Sequence, residues 1–254
     1  MKIYACVKQV PDTAANIKVV GEAGYDSSVK FVMNPYDEYA VEEAVKIAKE
    51  KGGEVVVVSV GDKSAANTIR SALAVGADRG ILVTTDAQFL DSATTARALK
   101  AAIEQDGVPD LIFMGKQSVD SEGMQTHYRV AAAFDLPVVN EVVSFTLKEN
   151  KAVVESEVGG GNREVSEIVL PCVIGATKGL NEPRYPKLPD ILKAKKKPLT
   201  EVSLSGLGIE PSETVHVTFL SAIPERGAAT MLEGSVPEMV DELLERLKTE
   251  AKVL

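Results

Sequence analysis

The chain has 254 residues, 45% hydrophobic and 26% charged, a composition that fits one large globular domain or a domain with an appendage. A net charge of −9 argues against a general nucleic-acid binder. With no Trp and few aromatic residues, aliphatic side chains must build the core.

The first half alternates two hydrophobic periods. Ile3–Val7 reads as a short buried strand. Residues 35–50 carry Ala40, Val41, Ala44, Val45, Ile47 and Ala48 at helical spacing. Asn34 suits the cap of that helix, Pro35 its first position, and Asp37 and Glu38 its first turn. Val55–Val60 is a β-branched run broken only by Ser59, as in a strand buried on both faces. Helix 63–75, strand Ile81–Thr84, helix 92–105, strand Leu111–Met114 and helix 122–134 follow. This order predicts an α/β fold: a parallel sheet with right-handed crossovers and helices on both faces.

The pattern changes near residue 138. Val138–Leu147 and Ala152–Val158 read as strands paired across a turn, followed by strands Arg163–Val169 and Cys172–Ala176. From Thr177 to Pro211 the periodicity is weak, which points to a functional loop or extended arm. Val215–Leu220 reads as a last strand. A closing helix carries Val236, Met239, Val240, Leu243, Leu244 and Leu247 on one face.

Cys6 and Cys172 lie in apolar runs and read as buried free thiols, with no disulfide framework. His127 and His216 are far apart and no residues have zinc-site spacing, so no metal is expected. The first apolar run is too short for a secretory leader, and no stretch nears the roughly 18 apolar residues of a membrane helix. The expectation is a cytoplasmic chain without membrane insertion.

In an open parallel sheet, ligands bind beyond the carboxyl ends of the strands. Cys6–Thr13, Asn34–Asp37, Val60–Lys63 and Gly115–Thr126 should meet on that edge. Gly115 would let backbone approach a ligand, and free N–H groups where the next helix starts favour a phosphate. Ser118, Ser121, Gln125 and Thr126 add hydrogen-bonding groups. Asp120 and Glu122 oppose further phosphates, which favours a mononucleotide. The same residues also fit a plain turn into a capped helix, so both readings stay open.

There is no Gly-x-Gly-x-x-Gly fingerprint, Walker loop or Gly-x-Ser-x-Gly elbow. His127 reads first as a satisfied or solvent-facing helix histidine. No nucleophile–base pair is evident, so no catalytic residue is assigned. Lys193, Lys195, Lys196 and Lys197 fit either a solvated face or a docking patch for an acidic partner.

Four segments carry a family resemblance: Asn34–Ala44, Ala74–Gly80, Gly115–Asp120 and, most specifically, Leu180–Lys197. They resemble electron transfer flavoprotein beta subunits, and the likeness runs nearly the whole chain, weakest over 198–235. The resemblance implies a Rossmann-like domain of the adenine nucleotide alpha hydrolase type. It implies a heterodimer with an alpha subunit that holds most of the FAD. Electrons would pass from acyl-CoA or other flavin dehydrogenases to a membrane quinone oxidoreductase, without turnover by this chain.

The same resemblance implies a structural AMP in this subunit. Its contacts would be Cys6, Asn34, Pro35, Tyr36, Asp37 and Val60. Gly115, Lys116, Gln117, Ser118, Val119, Asp120, Ser121, Glu122, Gly123, Met124, Gln125 and Thr126 would form the rest of that site. Tyr36 would approach the flavin, whereas Thr13 stands where mammalian members carry Tyr. Leu188 would anchor the dehydrogenase, with Arg184, Tyr185, Pro189, Ile191 and Lys193 around it. Two prolines stiffen that loop and lower the ordering cost of binding.

The implied organisation is a nucleotide-binding domain over 1–176 and 214–220, a recognition arm over 177–213, and an extension over 221–254 packing on the partner. His127-Tyr128 departs from the family, which often has Gly after the Gln-Thr pair. Electron-bifurcating relatives place a second FAD where AMP sits and lack the Lys-Ala-Lys-Lys-Lys run, which this chain has. The alternatives are such a bifurcating subunit, or a stand-alone nucleotide-binding α/β protein.

Overall fold

The computed structural model describes residues 1–211, 215–224 and 227–254. It divides into two units, Met1–Leu220 and Ser221–Leu254.

The first unit opens with β1 (Lys2–Cys6) and four short strands, β2 (Gln9–Pro11), β3 (Val19–Val20), β4 (Gly24–Tyr25) and β5 (Phe31–Met33). Then come α1 (Pro35–Lys51), β6 (Glu54–Gly61), a 3₁₀ turn (Lys63–Ala65) leading into α2 (Ala66–Val75), and β7 (Arg79–Thr84). They are followed by α3 (Ser92–Asp106), β8 (Leu111–Gly115) and α4 (Thr126–Phe134). The rest is β9 (Val138–Lys148), β10 (Lys151–Glu157), β11 (Arg163–Val169), β12 (Cys172–Ala176), α5 (Leu188–Ala194) and β13 (Leu199–Ser203).

Nine strands form one sheet in the order β11-β10-β9-β12-β8-β1-β6-β7-β13. From β9 to β13 all neighbours are parallel; β10 and β11 extend the sheet as antiparallel strands. The chain runs outward through β1, β6 and β7, then returns to place β8 on the other side of β1. That reversal opens a crevice at the carboxyl ends of β1 and β8.

Strand period decides which residues meet which helices. Ile3, Ala5, Val55, Val57, Leu111 and Phe113 join one core with Ala40, Val41 and Ala44 of α1 and Ile69 and Leu73 of α2. Their neighbours Tyr4, Cys6, Val56, Val58, Ile112 and Met114 pack with Leu99 and Ile103 of α3 and Val130 of α4. The fold is therefore a three-layer α/β sandwich with a mostly parallel central sheet. Cys6 and Cys172 are buried free thiols.

Four differences from the sequence reading have physical causes. The helix expected over 122–134 starts at Thr126, because Glu122 and Met124 adopt left-handed backbone, φ 48° each. Val215–Leu220 forms no strand; Val215 and Phe219 stay exposed, so that run has no buried face to hold a ladder. The weakly patterned stretch after Thr177 hides α5 and β13, an edge strand with mixed composition. In β9, Glu141 is left-handed (φ 55°) and the register with β12 shifts there, a bulge that no local residue signalled. Residues 212–214, where the sequence places the change from arm to strand, lie outside the described residues.

The second unit holds α6 (Val236–Thr249), started by a capping box between Ser235 and Glu238. Val236, Val240, Leu243 and Leu244 on its apolar stripe are exposed. No helix among the described residues is long and apolar enough to cross a membrane.

At the amino ends of the strands, Arg79 binds Glu54 through Nε and Nη2 (2.8 and 3.0 Å) and Asp106 through Nη1 and Nη2 (2.6 and 2.7 Å). The buried Tyr4 hydroxyl also donates to Asp106 at 2.7 Å. The guanidinium holds Asp106 and Glu54 below the usual carboxylate range. Depressed carboxyls contribute stability above their unfolded pKa and lose it as pH falls. Arg79→Met should therefore cost about 2 kcal/mol near pH 7 and flatten the decline of the urea midpoint between about pH 5 and 3.

Candidate functional site

The crevice edge is built around Asp37. Its Oδ2 accepts from the Lys8 backbone N–H (2.7 Å). Its Oδ1 accepts from the Gly115 N–H and from Asn34 Nδ2, both at 3.0 Å. One carboxyl thus ties the end of β1 to the end of β8 through the first turn of α1, where the helix dipole favours an anion.

Asn34 extends the junction. Its Nδ2 also donates to the Gln117 carbonyl (2.8 Å), and its Oδ1 accepts from the Val119 N–H (3.1 Å). Its side chain makes no capping bond to α1, so the loop takes the group that the sequence assigns to the helix cap.

Gly115 has a role within the protein itself. A Cβ there would lie 2.3 Å from Asp37 Oδ1 and 2.8 Å from Tyr36 Cβ. The missing side chain makes room for this junction within the protein itself.

The loop after β8 is closed by Lys8, which the sequence reading placed on the edge without a role. Its Nζ reaches both Asp120 oxygens (2.8 and 2.7 Å) and Ser118 Oγ (3.3 Å). Asp120 is therefore charge-compensated. Ser118 and Ser121 share a hydrogen bond at 2.8 Å. Gln125 Oε1 accepts from Arg129 and from Ser92.

The first turn of α4, Thr126 onward, has no side-chain cap. Its leading N–H groups keep their capacity for an outside acceptor. Glu122 and Gly123 are exposed at the rim and Met124 is half-buried. Cys6 is buried in the core below the edge, paired in register with Val58; Val60 and Pro35 are half-buried beside it. Lys116 Nζ sits 5.3 Å over the Tyr36 ring and 3.5 Å from Glu141. The structure thus brings Cys6, Asn34–Asp37, Val60 and Gly115–Thr126 to one edge. Thr13 is exposed.

His127 departs from its expected state. It is buried, its Nε2 has no partner among the described residues, and burial pushes its pKa down to about 4. It is neutral at pH 7 and lies tilted against Tyr128 with ring centroids 4.2 Å apart. Among the described residues no group of His, Cys, Asp and Glu is arranged to hold a metal ion.

A second feature lies along the arm. Arg184 grips the buried Glu42 of α1 through its backbone N–H, Nε and Nη2. Asn181 donates to the Tyr39 carbonyl and to Glu43, both at 3.0 Å. Beyond these contacts Tyr185 is 96% exposed and Leu188 70% exposed. Ile191, Pro189 and Lys193 are exposed beside them.

With this geometry in place, comparison with known proteins is decisive. The sequence model of the electron transfer flavoprotein domain matches residues 25–207. The chain is 39% identical to an electron transfer flavoprotein subunit beta, mitochondrial, of Arabidopsis thaliana, over the full length of both. It is 38% identical to a subunit beta of Syntrophomonas wolfei, covering all of this chain and 98% of that one. It is 33% identical to the Bacillus subtilis subunit beta, over the full length of both. The chain belongs to the electron transfer flavoprotein subunit beta family. Membership makes it an electron transport protein of a flavoprotein type, and implies an electron transfer flavoprotein alpha subunit as its partner.

The Asp37 junction has a pH signature. Burial raises its carboxyl to about 7, against the pull of the Lys8, Asn34 and Gly115 donors. A carboxyl with a raised folded pKa binds its proton more tightly when folded, so its stability contribution falls as pH rises from about 4 to 7. Asp37→Asn should remove that slope in urea unfolding across this window. It should also lower stability by about 1–3 kcal/mol on the acid side, since the amide nitrogen cannot accept.

Proposed function

We propose that this subunit binds one AMP at the carboxyl edge of its sheet and shares FAD with the alpha subunit. In this reading the heterodimer carries electrons from acyl-CoA and other flavin dehydrogenases to a membrane quinone oxidoreductase. The chain performs no turnover of its own and works in the cytoplasm.

The observation that carries the reading is the arm. A soluble chain seldom leaves Tyr185 and Leu188 open on a segment anchored as firmly as this one, unless another protein covers them. Pro186 and Pro189 flank Leu188 and restrict its backbone before any partner arrives. Leu188 is the anchor of the proposed docking surface, with Arg184 holding the arm and Tyr185, Pro189, Ile191 and Lys193 forming its surroundings.

The AMP assignment draws support from charge. Lys8 is already committed to Asp120, so the uncapped start of α4 is left as the acceptor site for a single phosphate. Val119, Ser121 and Thr126 would line it, with Cys6 and Val60 as the floor. Asp37 has each of its donors inside the protein, so it would shape this site rather than touch the nucleotide. Tyr36, beside Lys116, would face the flavin.

Mass spectrometry of ligands released from the denatured heterodimer should find one AMP and one FAD. Two FAD would identify a bifurcating subunit instead, and a colourless homodimer a stand-alone nucleotide binder. Leu188→Ala should slow reduction by the dehydrogenase about tenfold or more, as loss of a buried anchor does, with flavin content unchanged. Loss of flavin would refute the docking role.

A further inference from the structure

The lysine run at the end of the arm is not one patch. Lys195 and Lys196 are exposed, as is Lys193 before them, whereas Lys197 is half-buried. Its Nζ donates to the carbonyls of Leu73 (2.9 Å) and Ala77 (2.5 Å). These lie in the last turn of α2 and just beyond it, where helix carbonyls lack intrahelical partners. The last turn of α2 has no basic residue of its own, so Lys197 supplies the cation that the helix dipole favours there.

The arrangement is reciprocal. Arg70, from the middle of α2, donates through Nη1 to the carbonyls of Ala194 (2.8 Å) and Lys197 (2.5 Å). The first is the carbonyl of the last residue of α5, and the second lies three residues beyond it. The end of α5 is therefore capped by a cation from α2, and the end of α2 by a cation from the segment just after α5.

This matters because α5 has only seven residues, too few to hold a helix by itself. Leu188, Ile191 and Leu192 face solvent, and only Ala194 is buried. A groove of about 380 Å³ runs between the end of α2 and the arm with α5, lined among others by Lys49, Gly76, Tyr185, Asp190, Lys193 and Lys197. Apolar packing beneath the tip is thus sparse, and polar contacts at the two ends of the arm set its position.

We infer that Arg70 and Lys197 are positioning residues for the docking tip, a reciprocal capping lock that fixes the root of α5 and withdraws Lys197 from the charged surface offered to a partner. The inference rests on the docking reading above and deepens it. Lys193, Lys195 and Lys196 remain as the cations an acidic surface would meet.

The test uses the FAD-loaded heterodimer carrying Lys197→Met, Arg70→Met, Lys197→Arg or Lys195→Gln. In the two Met variants, amides of residues 188–194 should exchange about tenfold faster as the root opens. KM for the carrier in reduction by a flavin dehydrogenase should rise about fivefold with kcat nearly unchanged. Lys197→Arg, which can still donate, should restore most of both. The salt dependence of KM should stay as in the parent for Lys197→Met and become shallower for Lys195→Gln.

Unchanged exchange in both Met variants would overturn the lock. A salt dependence in Lys197→Met as shallow as in Lys195→Gln would return Lys197 to the patch and overturn the inference. Faster exchange with unchanged KM would overturn the positioning role. An unchanged KM in Leu188→Ala would instead overturn the docking reading on which the lock depends. Should one Met variant fail to assemble, the other removes the opposite half of the same lock.

Discussion

A buried carboxyl that accepts three N–H groups is the hinge on which this sheet edge turns. Asp37 stands where α1 begins, and its donors come from Lys8 just after β1, from Gly115 at the end of β8 and from Asn34. Removing any one donor would leave a buried acceptor short of a partner, which is costly in a low-dielectric interior. The geometry leaves no freedom at Gly115, because any side chain there would overlap Asp37 and Tyr36. The opening at the switch point is thus set by contacts inside the chain before any ligand is considered.

The same helix serves the arm. Its first turn holds the crevice edge, while Tyr39, Glu42 and Glu43 hold Asn181 and Arg184. Those positions lie within two turns of Asp37, or roughly 10 Å along the axis. Buried acidic residues on an otherwise apolar helix face would be a liability alone. Here each meets a donor: Glu42 meets Arg184, and Glu43 meets Asn181 and Lys46. The crevice edge and the exposed arm are thus both held by one α-helix.

Much of the fold was legible because parallel sheets write a strong signal. Runs such as Val55–Val60 and Leu111–Met114 are apolar on both faces, and the helices between them carry stripes of period 3.6. What escaped was whatever long-range contacts decide. β13 is polar at most positions and becomes a strand only because β7 offers it an edge. The start of α4 is set by two left-handed residues, neither of them glycine.

At the site, the segments that meet were readable from strand ends, but their partners were not. Lys8 looked like any charged residue after a strand, yet it neutralises Asp120 across 112 positions of sequence. Asn34 looked like a cap and serves as a brace. The lysine run looked uniform, and only the position of α2 separates Lys197 from its neighbours.

The sheet ends in β11 on one side and β13 on the other, and no further strand among the described residues pairs with either. β11 carries Arg163, Glu164 and Glu167, and β13 carries Glu201. Stacking a second copy edge to edge would crowd and desolvate these charged side chains. A nine-stranded sheet of such aliphatic content would otherwise invite fibrillar growth. With its flanks so guarded, the molecule can leave side-chain surface exposed for recognition and still resist polymerising through its backbone.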